Sequence, residues 1–153
     1  MSKTAVFPGS FDPFTRGHDY IVHKSLQLFD KVVIAIGSNS TKQPYFPLEK
    51  REEALRKLYA GEKRIQVLSY QGLTVDLCQK INAAFIVRGL RNGTDFEYEK
   101  SIAQMNSEMN KEIETVFLLT ASSYAHIQST IVREIIRNGG DISAFIPKGM
   151  ELK

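Results

Sequence analysis

The sequence predicts an α/β fold in which five parallel strands form one sheet with helices on both faces. Short apolar runs, rich in β-branched side chains, alternate with longer segments of helical periodicity. Strands that alternate with helices are joined by right-handed crossovers, which makes the sheet parallel. Because the runs are almost continuously apolar, the strands are expected to be buried on both faces. Together these observations predict a Rossmann-like sheet.

Five apolar runs, each bounded by turn-forming or charged residues, are the predicted strands: residues 5–7, 32–36, 65–68, 84–87 and 116–119. In parallel sheets of this kind, ligands bind beyond the carboxyl ends of the strands. We therefore expect the functional residues to lie just after positions 7, 36, 68, 87 and 119.

Helical periodicity predicts five helices: residues 18–29, 48–59, 73–82, 94–110 and 130–138. The fourth opens with Thr94-x-x-Glu97, a pattern typical of a capping box. The fifth ends at Gly139-Gly140, which suits a helix C-cap. Cys78 and His23 fall within helical patterns, and we interpret both as structural.

Length and composition favour one globular domain spanning residues 1–153. The hydrophobic share of 42% and the charged share of 24% are typical of a chain that buries an ordinary core. The single cysteine, Cys78, cannot form an internal disulfide, and no signal peptide is visible, so we expect a cytoplasmic protein. No segment approaches the ~18 apolar residues of a membrane span, so no membrane association is expected.

The charge pattern argues against nucleic acid as a partner. The net charge is +3, and the chain contains no long run of like charges. A nucleic-acid-binding surface would need a denser basic stripe with interleaved aromatic residues. The mild basic excess also suits a pocket for phosphorylated ligands.

The most informative segment follows the first strand and runs Pro8-Gly9-Ser10-Phe11-Asp12-Pro13-Phe14-Thr15-Arg16-Gly17-His18. Gly9 allows the backbone to turn and approach a ligand, and Gly17-His18 opens a helix whose free amides favour phosphate. A histidine at this position can donate to a phosphate oxygen. The segment is neither a P-loop nor a dinucleotide-binding glycine motif, and a Gly-His pair alone would more simply be a turn with a helix cap.

Cationic residues follow two further strands. Lys42 lies after the second strand, where a lysine can neutralise a phosphate as a point charge. Arg88 and Arg91 follow the fourth strand and can present two guanidinium forks to phosphates. The alternatives are a solvated lysine and a basic surface loop, but the position at the ligand edge of the sheet favours function.

The fourth predicted helix carries D-F-E-Y-E at residues 95–99. Glu97 has a structural role as the capping partner, whereas Glu99 has none. Large apolar residues also recur on this helix at helical spacing, and we interpret them as core or subunit contacts: Tyr98, Ile102, Met105 and Met109.

Hydroxyl and amide side chains in residues 122–130 run into the last helix, where they suit phosphate binding or an ordinary N-cap by Ser129 or Thr130. The chain shows no Cys or His spacing typical of a metal site. It also shows no legible set of nucleophile, base and carboxylate.

These motifs together resemble those of the phosphopantetheine adenylyltransferase family, over residues 4–147. Residues 8–18 resemble the string P-G-[ST]-F-D-P-x-[TH]-x-G-H of the nucleotidyltransferase superfamily. R-G-L-R at 88–91 followed by D-F-E-Y-E at 95–99 is characteristic of this family within the superfamily. Two positions depart from it: Ser10 replaces a common Thr and keeps the hydroxyl, and Gln128 replaces a frequent Ser.

The resemblance implies that ATP and 4′-phosphopantetheine react to give dephospho-coenzyme A and pyrophosphate, with Mg²⁺, in a homohexamer. It implies that Ser10 and His18 touch the reacting phosphates. Phosphopantetheine would be held by Ser10, Lys42, Thr74 and Arg88. The ATP site would be lined by Ser10, Phe11, His18, Gly89, Leu90, Arg91, Glu99, Tyr124, Ala125, His126, Ile127, Gln128, Ser129 and Thr130.

An ionised phosphate as nucleophile needs no protein base, so catalysis reduces to alignment and charge stabilisation. We expect in-line attack in which His18 stabilises the pentavalent centre, Arg91 aids the departing pyrophosphate and Lys42 positions the attacking phosphate. Two alternatives stay open: another small-molecule nucleotidyltransferase of the superfamily, and a non-catalytic nucleotide sensor. A sensor would have no need for the cations that serve the second substrate.

Overall fold

The computed structural model describes residues 2–38 and 43–152 and contains strands and helices in strict alternation. In chain order they are β1 (Thr4–Gly9), α1 (Arg16–Leu28), β2 (Lys31–Gly37), α2 (Leu48–Leu58), β3 (Ile65–Tyr70), α3 (Thr74–Lys80), β4 (Phe85–Leu90), α4 (Gly93–Met109), β5 (Glu114–Leu119) and α5 (Ser129–Arg137). The predicted α/β alternation is confirmed, and each predicted element overlaps an observed one.

The strands form one parallel sheet in the order β3-β2-β1-β4-β5. The chain runs outward from β1 to β3 on one side and then crosses to β4 and β5 on the other. Strand β1 pairs with β2 over its whole length but with β4 only at Ala5 and Val6. Beyond Val6 the two strands therefore separate at their carboxyl ends, where such a topology places a ligand crevice.

Burial on both faces holds for the central strands. Residues 5–8 of β1 and 32–36 of β2 are all buried, because α1 packs on one face and α3 on the other. Val22 of α1 and Cys78 of α3 are fully inaccessible. The two edge strands, β3 and β5, are only partly covered, so the prediction of burial on both faces is wrong for them.

The structure shows which residues cap the start of α1, the start of α4 and the end of α5. Thr15 caps α1, and its partner in the capping box is His18. The predicted Thr94–Glu97 box is wrong, because α4 begins one residue earlier and the Asn92 side chain accepts from the Asp95 amide. Helix α5 ends in front of Gly139, whose φ of 77° is the left-handed conformation that favours glycine.

Of the two roles left open for residues 122–130, an ordinary N-cap by Ser129 or Thr130 is not found. Gln128 precedes α5 without a side-chain cap, and the Ser129 hydroxyl instead donates to the Pro13 carbonyl at 2.9 Å. That bond ties the start of α5 to the segment after β1. The long-range contact therefore takes the hydroxyl that a purely local pattern would assign to the helix.

The apolar stripe of α4 does not enter the core of this chain. Its members are exposed, as is the last residue of β5: Tyr98, Ile102, Met105, Met109 and Leu119. Within the described ranges, no helix is both long and apolar enough to cross a membrane.

Candidate active site

A cavity of about 320 Å³ opens where β1 and β4 separate. Its walls come from the segment after β1, the start of α1, the end of β4 and the residues between β5 and α5. The predicted site residues that line it are Ser10, Phe11, His18, Arg88, Gly89, Arg91, Glu99, Tyr124, Ile127, Gln128, Ser129 and Thr130. We refer to it as the first cavity.

A second cavity of about 330 Å³ adjoins the first at the carboxyl ends of β2, β3 and β4, beside α4. It is lined by Tyr70 and Thr74 on one side and by Ile102 and Asn106 on the other. The two cavities share the wall residues Pro8, Gly9, Ser10, Arg88 and Glu99. A molecule in each cavity would therefore meet the other beside Ser10 and Arg88.

His18 is held in one orientation by the start of its own helix. The ring Nδ1 of His18 accepts the backbone N–H of Thr15 at 3.0 Å. The Thr15 hydroxyl in turn accepts the backbone N–H of His18 at 3.4 Å. Because Nδ1 is the acceptor, the proton of a neutral imidazole resides on Nε2. The ring therefore offers an N–H donor at the cavity that it lines.

Aromatic packing keeps this imidazole neutral. The rings of Phe11 and Phe14 lie 5.1 and 5.3 Å from that of His18, between centroids. Desolvation by this burial, with the nearby charges of Arg88 and Arg91, lowers the pKa of His18 to about 3. At neutral pH the group is thus a fixed, uncharged hydrogen-bond donor.

The two arginines of the cavity are each paired with an acid. Arg88 donates to both oxygens of Glu99, Nε to Oε2 at 3.0 Å and Nη2 to Oε1 at 2.6 Å. Arg91 makes a similar fork with Asp95, and these hydrogen bonds hold the pKa of Asp95 below its ordinary value. Both guanidinium groups are consequently held in place before any ligand enters.

The segment after β1 is shaped by close approach. A Cβ on Gly9 would lie 2.8 Å from the Phe11 ring, so the backbone there has no room for a side chain. Phe11 itself has a φ of 49°. The buried Asp12 carboxylate accepts the amides of Tyr45 and Phe46, each at 2.8 Å, which fastens this segment to the chain before α2.

The carboxylates near the cavities do not offer a protein-built metal site. Glu99 and Asp95 are engaged by arginines, and Asp12 is engaged by amides. Over residues 2–38 and 43–152, no group of three or more His, Cys, Asp or Glu side chains is close enough to hold a metal ion. A Mg²⁺ ion held by this protein alone would therefore not fit these residues.

Several predicted residues lie elsewhere. Thr74 lines the second cavity, whereas Leu90, Ala125 and His126 line neither of the two. Lys42 lies outside the described residues. Arg88 sits inside β4, paired with Phe117, rather than after the strand.

Sequence reasoning did not single out Tyr70, Asn106 and Thr120, which line the cavities. Thr120 follows β5 directly, where the ligand-edge rule could have found it. Asn106 lies seven residues after Glu99, so it shares a face of α4 with that acid. Tyr70 ends β3, and its hydroxyl is 2.8 Å from that of Thr74.

Comparisons with known proteins agree with this geometry. The family described as Cytidylyltransferase-like matches residues 6–135. A crystal structure described as a nicotinate-nucleotide adenylyltransferase from Vibrio parahaemolyticus covers 95% of this chain and 87% of its own, with a TM-score of 0.71. At 21% identity, this likeness supports the fold alone.

Curated relatives give a narrower placement. The phosphopantetheine adenylyltransferase of Flavobacterium psychrophilum is 51% identical over 151 residues, which cover 99% of both chains. That of Bacteroides thetaiotaomicron is 49% identical over 98% of this chain and 99% of its own. With the cavities, the His18 geometry and this near full-length similarity, the chain belongs to the phosphopantetheine adenylyltransferase family.

Proposed function

We propose that this chain transfers the adenylyl group of ATP to 4′-phosphopantetheine, giving dephospho-coenzyme A and pyrophosphate. Its close full-length relatives are named phosphopantetheine adenylyltransferase, and the reaction belongs to coenzyme A biosynthesis. The observation that carries the proposal is the meeting of two cavities at Ser10 and Arg88. Direct transfer between two substrates needs such a shared wall, because both reacting groups must reach one phosphorus.

The first cavity suits the nucleotide. It combines the neutral His18 donor, the Arg91 guanidinium and the Thr130 hydroxyl around one space, which Ser129 also lines. The second cavity suits an acceptor with amide and apolar parts, because Tyr70, Thr74 and Asn106 stand beside Ile102. Arg88, on the shared wall, can serve a phosphate from either side.

The chemistry follows from the nucleophile. A phosphate oxygen of phosphopantetheine attacks the α-phosphorus of ATP, the bond to the bridging oxygen breaks, and pyrophosphate leaves with that electron pair. An ionised phosphate needs no base, and the low pKa of His18 leaves no charged imidazole at neutral pH. His18 instead donates Nε2–H to the oxygens whose charge grows in the transition state.

The remaining residue roles are part of the same proposal. We assign Arg91 to the departing pyrophosphate and Lys42 and Thr74 to phosphopantetheine. We assign Leu90, Ala125 and His126 to the border of the nucleotide site, next to residues that line it. The neighbours of these three, Arg91 and Tyr124, support that assignment.

Mg²⁺ and the assembled state complete the proposal. Because the carboxylates near the cavities are already engaged, Mg²⁺ would enter on the ATP phosphates, whose charge it neutralises. The number of copies, a homohexamer, follows from the family resemblance, and the exposed apolar side chains of α4 and β5 support an interface between copies. The buried single cysteine, Cys78, is consistent with a reducing cytoplasm.

The test is an acceptor screen with ATP and Mg²⁺ in which pyrophosphate release is measured. We expect release with 4′-phosphopantetheine and only background with nicotinate mononucleotide or glycerol 3-phosphate. Release with another acceptor alone would assign the chain to a different nucleotidyltransferase reaction. ATP binding by calorimetry with no turnover on any acceptor would favour a nucleotide sensor.

A further inference from the structure

Three guanidinium groups donate to alternate carbonyls of residues 8–12, at the end of β1 and directly after it. Arg88 donates to the Pro8 carbonyl, Arg51 of α2 to that of Ser10 at 2.6 Å, and Arg133 of α5 to that of Asp12 at 2.7 Å. We call residues 8–12 the phosphate loop. Arg51 and Arg133 line neither cavity, so they reach this loop from behind.

These two arginines also differ from Arg88 in charge balance. Arg88 and Arg91 are paired with acids, whereas no ion pair joins Arg51 or Arg133 to a carboxylate of residues 2–38 or 43–152. Arg51 is only 5% exposed, and its Nε–H donates to the Phe46 carbonyl at 3.0 Å. A buried cation without an acid is unfavourable unless some other charge compensates it.

The hydrogen bond from Arg51 also orients the phosphate loop. The Ser10–Phe11 peptide is trans, so its C=O and N–H point in opposite directions. With the Ser10 carbonyl held from behind by Arg51, the Phe11 N–H is directed toward the cavity that Phe11 lines. Among the described hydrogen bonds, none occupies this N–H. Carbonyl oxygens that would repel an anion are meanwhile kept away from it.

We propose that Arg51 and Arg133 are positioning residues for the polyphosphate, holding the phosphate loop by its carbonyls and supplying positive charge behind it. With His18 neutral and Arg88 and Arg91 each paired with an acid, these two cations outnumber the one carboxylate of the phosphate loop, that of Asp12, and leave the described part of the site with a net positive charge. The inference deepens the proposed function and rests on it for the identity of the anion, the phosphates of ATP or the pyrophosphate product.

The experiment measures inorganic pyrophosphate binding by calorimetry to the full chain, at low and at high salt. Each of Arg51→Gln and Arg133→Gln is expected to weaken binding about tenfold or more, because each removes a charge-assisted bond and a charge. The lysine variants keep the charge, so Arg51→Lys and Arg133→Lys should recover most of the affinity and the salt dependence. Matched controls lie on the same helices, namely Arg56→Gln and Arg137→Gln, whose side chains are exposed and acid-paired.

The outcomes separate positioning from general structural damage. A folded Arg133→Gln or Arg51→Gln that binds pyrophosphate as the wild type does would overturn the proposal. Equal losses in the glutamine and lysine variants would overturn its charge component. If Arg51→Gln does not fold, the partly exposed Arg133 decides the outcome alone. Pyrophosphate binding needs no turnover, so failure of this inference and failure of adenylyl transfer appear in different assays.

Discussion

The half of the sheet built from β1 and β2 is fully covered by helices of the same chain, whereas the half built from β4 and β5 is left partly exposed. The first half is buried on both faces and holds His18 through the capping box of α1. The second half leaves Tyr98 71% and Leu119 72% exposed and carries arginines paired with acids on α4. His18, the group that must stay neutral and fixed, thus lies in the half built from β1 and β2, which we call the self-sufficient half.

The largest expected effect is on turnover, in the self-sufficient half. His18→Ala removes the Nε2–H donor, and loss of one such donor lowers kcat by about 10²–10³. Steady-state kinetics with saturating substrates measures this. Near-normal kcat in a folded His18→Ala enzyme would break the assignment of catalysis to this half.

The second effect is on stability at acid pH. Burial holds the pKa of His18 at about 3 in the folded chain, whereas a histidine in an unfolded chain has its ordinary pKa of about 6.5. Below pH 6.5 the unfolded chain binds a proton that the folded chain does not, so stability falls as pH drops toward 3. The loss is up to about 1.4 kcal/mol per pH unit in that window.

The His18→Asn variant has no imidazole to take up this proton, so it does not lose this part of its stability. All other titrating groups are common to both proteins. Urea unfolding at pH 7 and pH 4.5 should therefore show a steeper decline for the wild type than for the variant. Parallel declines would mean that the imidazole is not held neutral by burial.

A third comparison uses two glycines of the first cavity. A Cβ on Gly89 would lie 2.8 Å from Cγ1 of Ile21, so Gly89→Ala should cost about 1–3 kcal/mol of unfolding free energy. A Cβ on Gly17 meets nothing closer than 3.6 Å, so Gly17→Ala should keep its stability and raise KM for ATP because the methyl enters the cavity. Thermal melts and kinetics check both, and equal melting temperatures would contradict the packing at Gly89.

The smallest expected effect on the folding of the single chain follows Leu119→Lys on β5, in the half of the sheet built from β4 and β5. Because this side chain is mostly exposed, the secondary structure should be unchanged by circular dichroism. The mass in solution should fall, because a charge on the proposed interface between copies opposes assembly. Light scattering that gives the same mass as the wild type would remove β5 from the interface. The control is a charge change away from α4 and β5, Lys31→Glu on β2, which should leave the mass in solution unchanged.

What could be predicted from the sequence follows the same division. Strands β1 and β2 were predictable because their apolar runs are local signals of burial, and His18 was predictable because it lies in the first turn of a helix at the ligand edge of the sheet. The α4 cap was not, since Asn92 competes with Thr94 for the same helix start. The grip of Arg51 and Arg133 on the phosphate loop joins residues 41 and 121 apart, a separation that no local pattern records.

The central claim is that the acceptor phosphate attacks the α-phosphorus of ATP directly, across the wall that the two cavities share. The stereochemistry at that phosphorus tests it, with ATP made chiral at the α-position by sulfur substitution and 4′-phosphopantetheine as acceptor. A single in-line displacement inverts the configuration in the dephospho-coenzyme A product, and we predict inversion. Retention would require two displacements through a nucleophile on the protein, which would contradict the account.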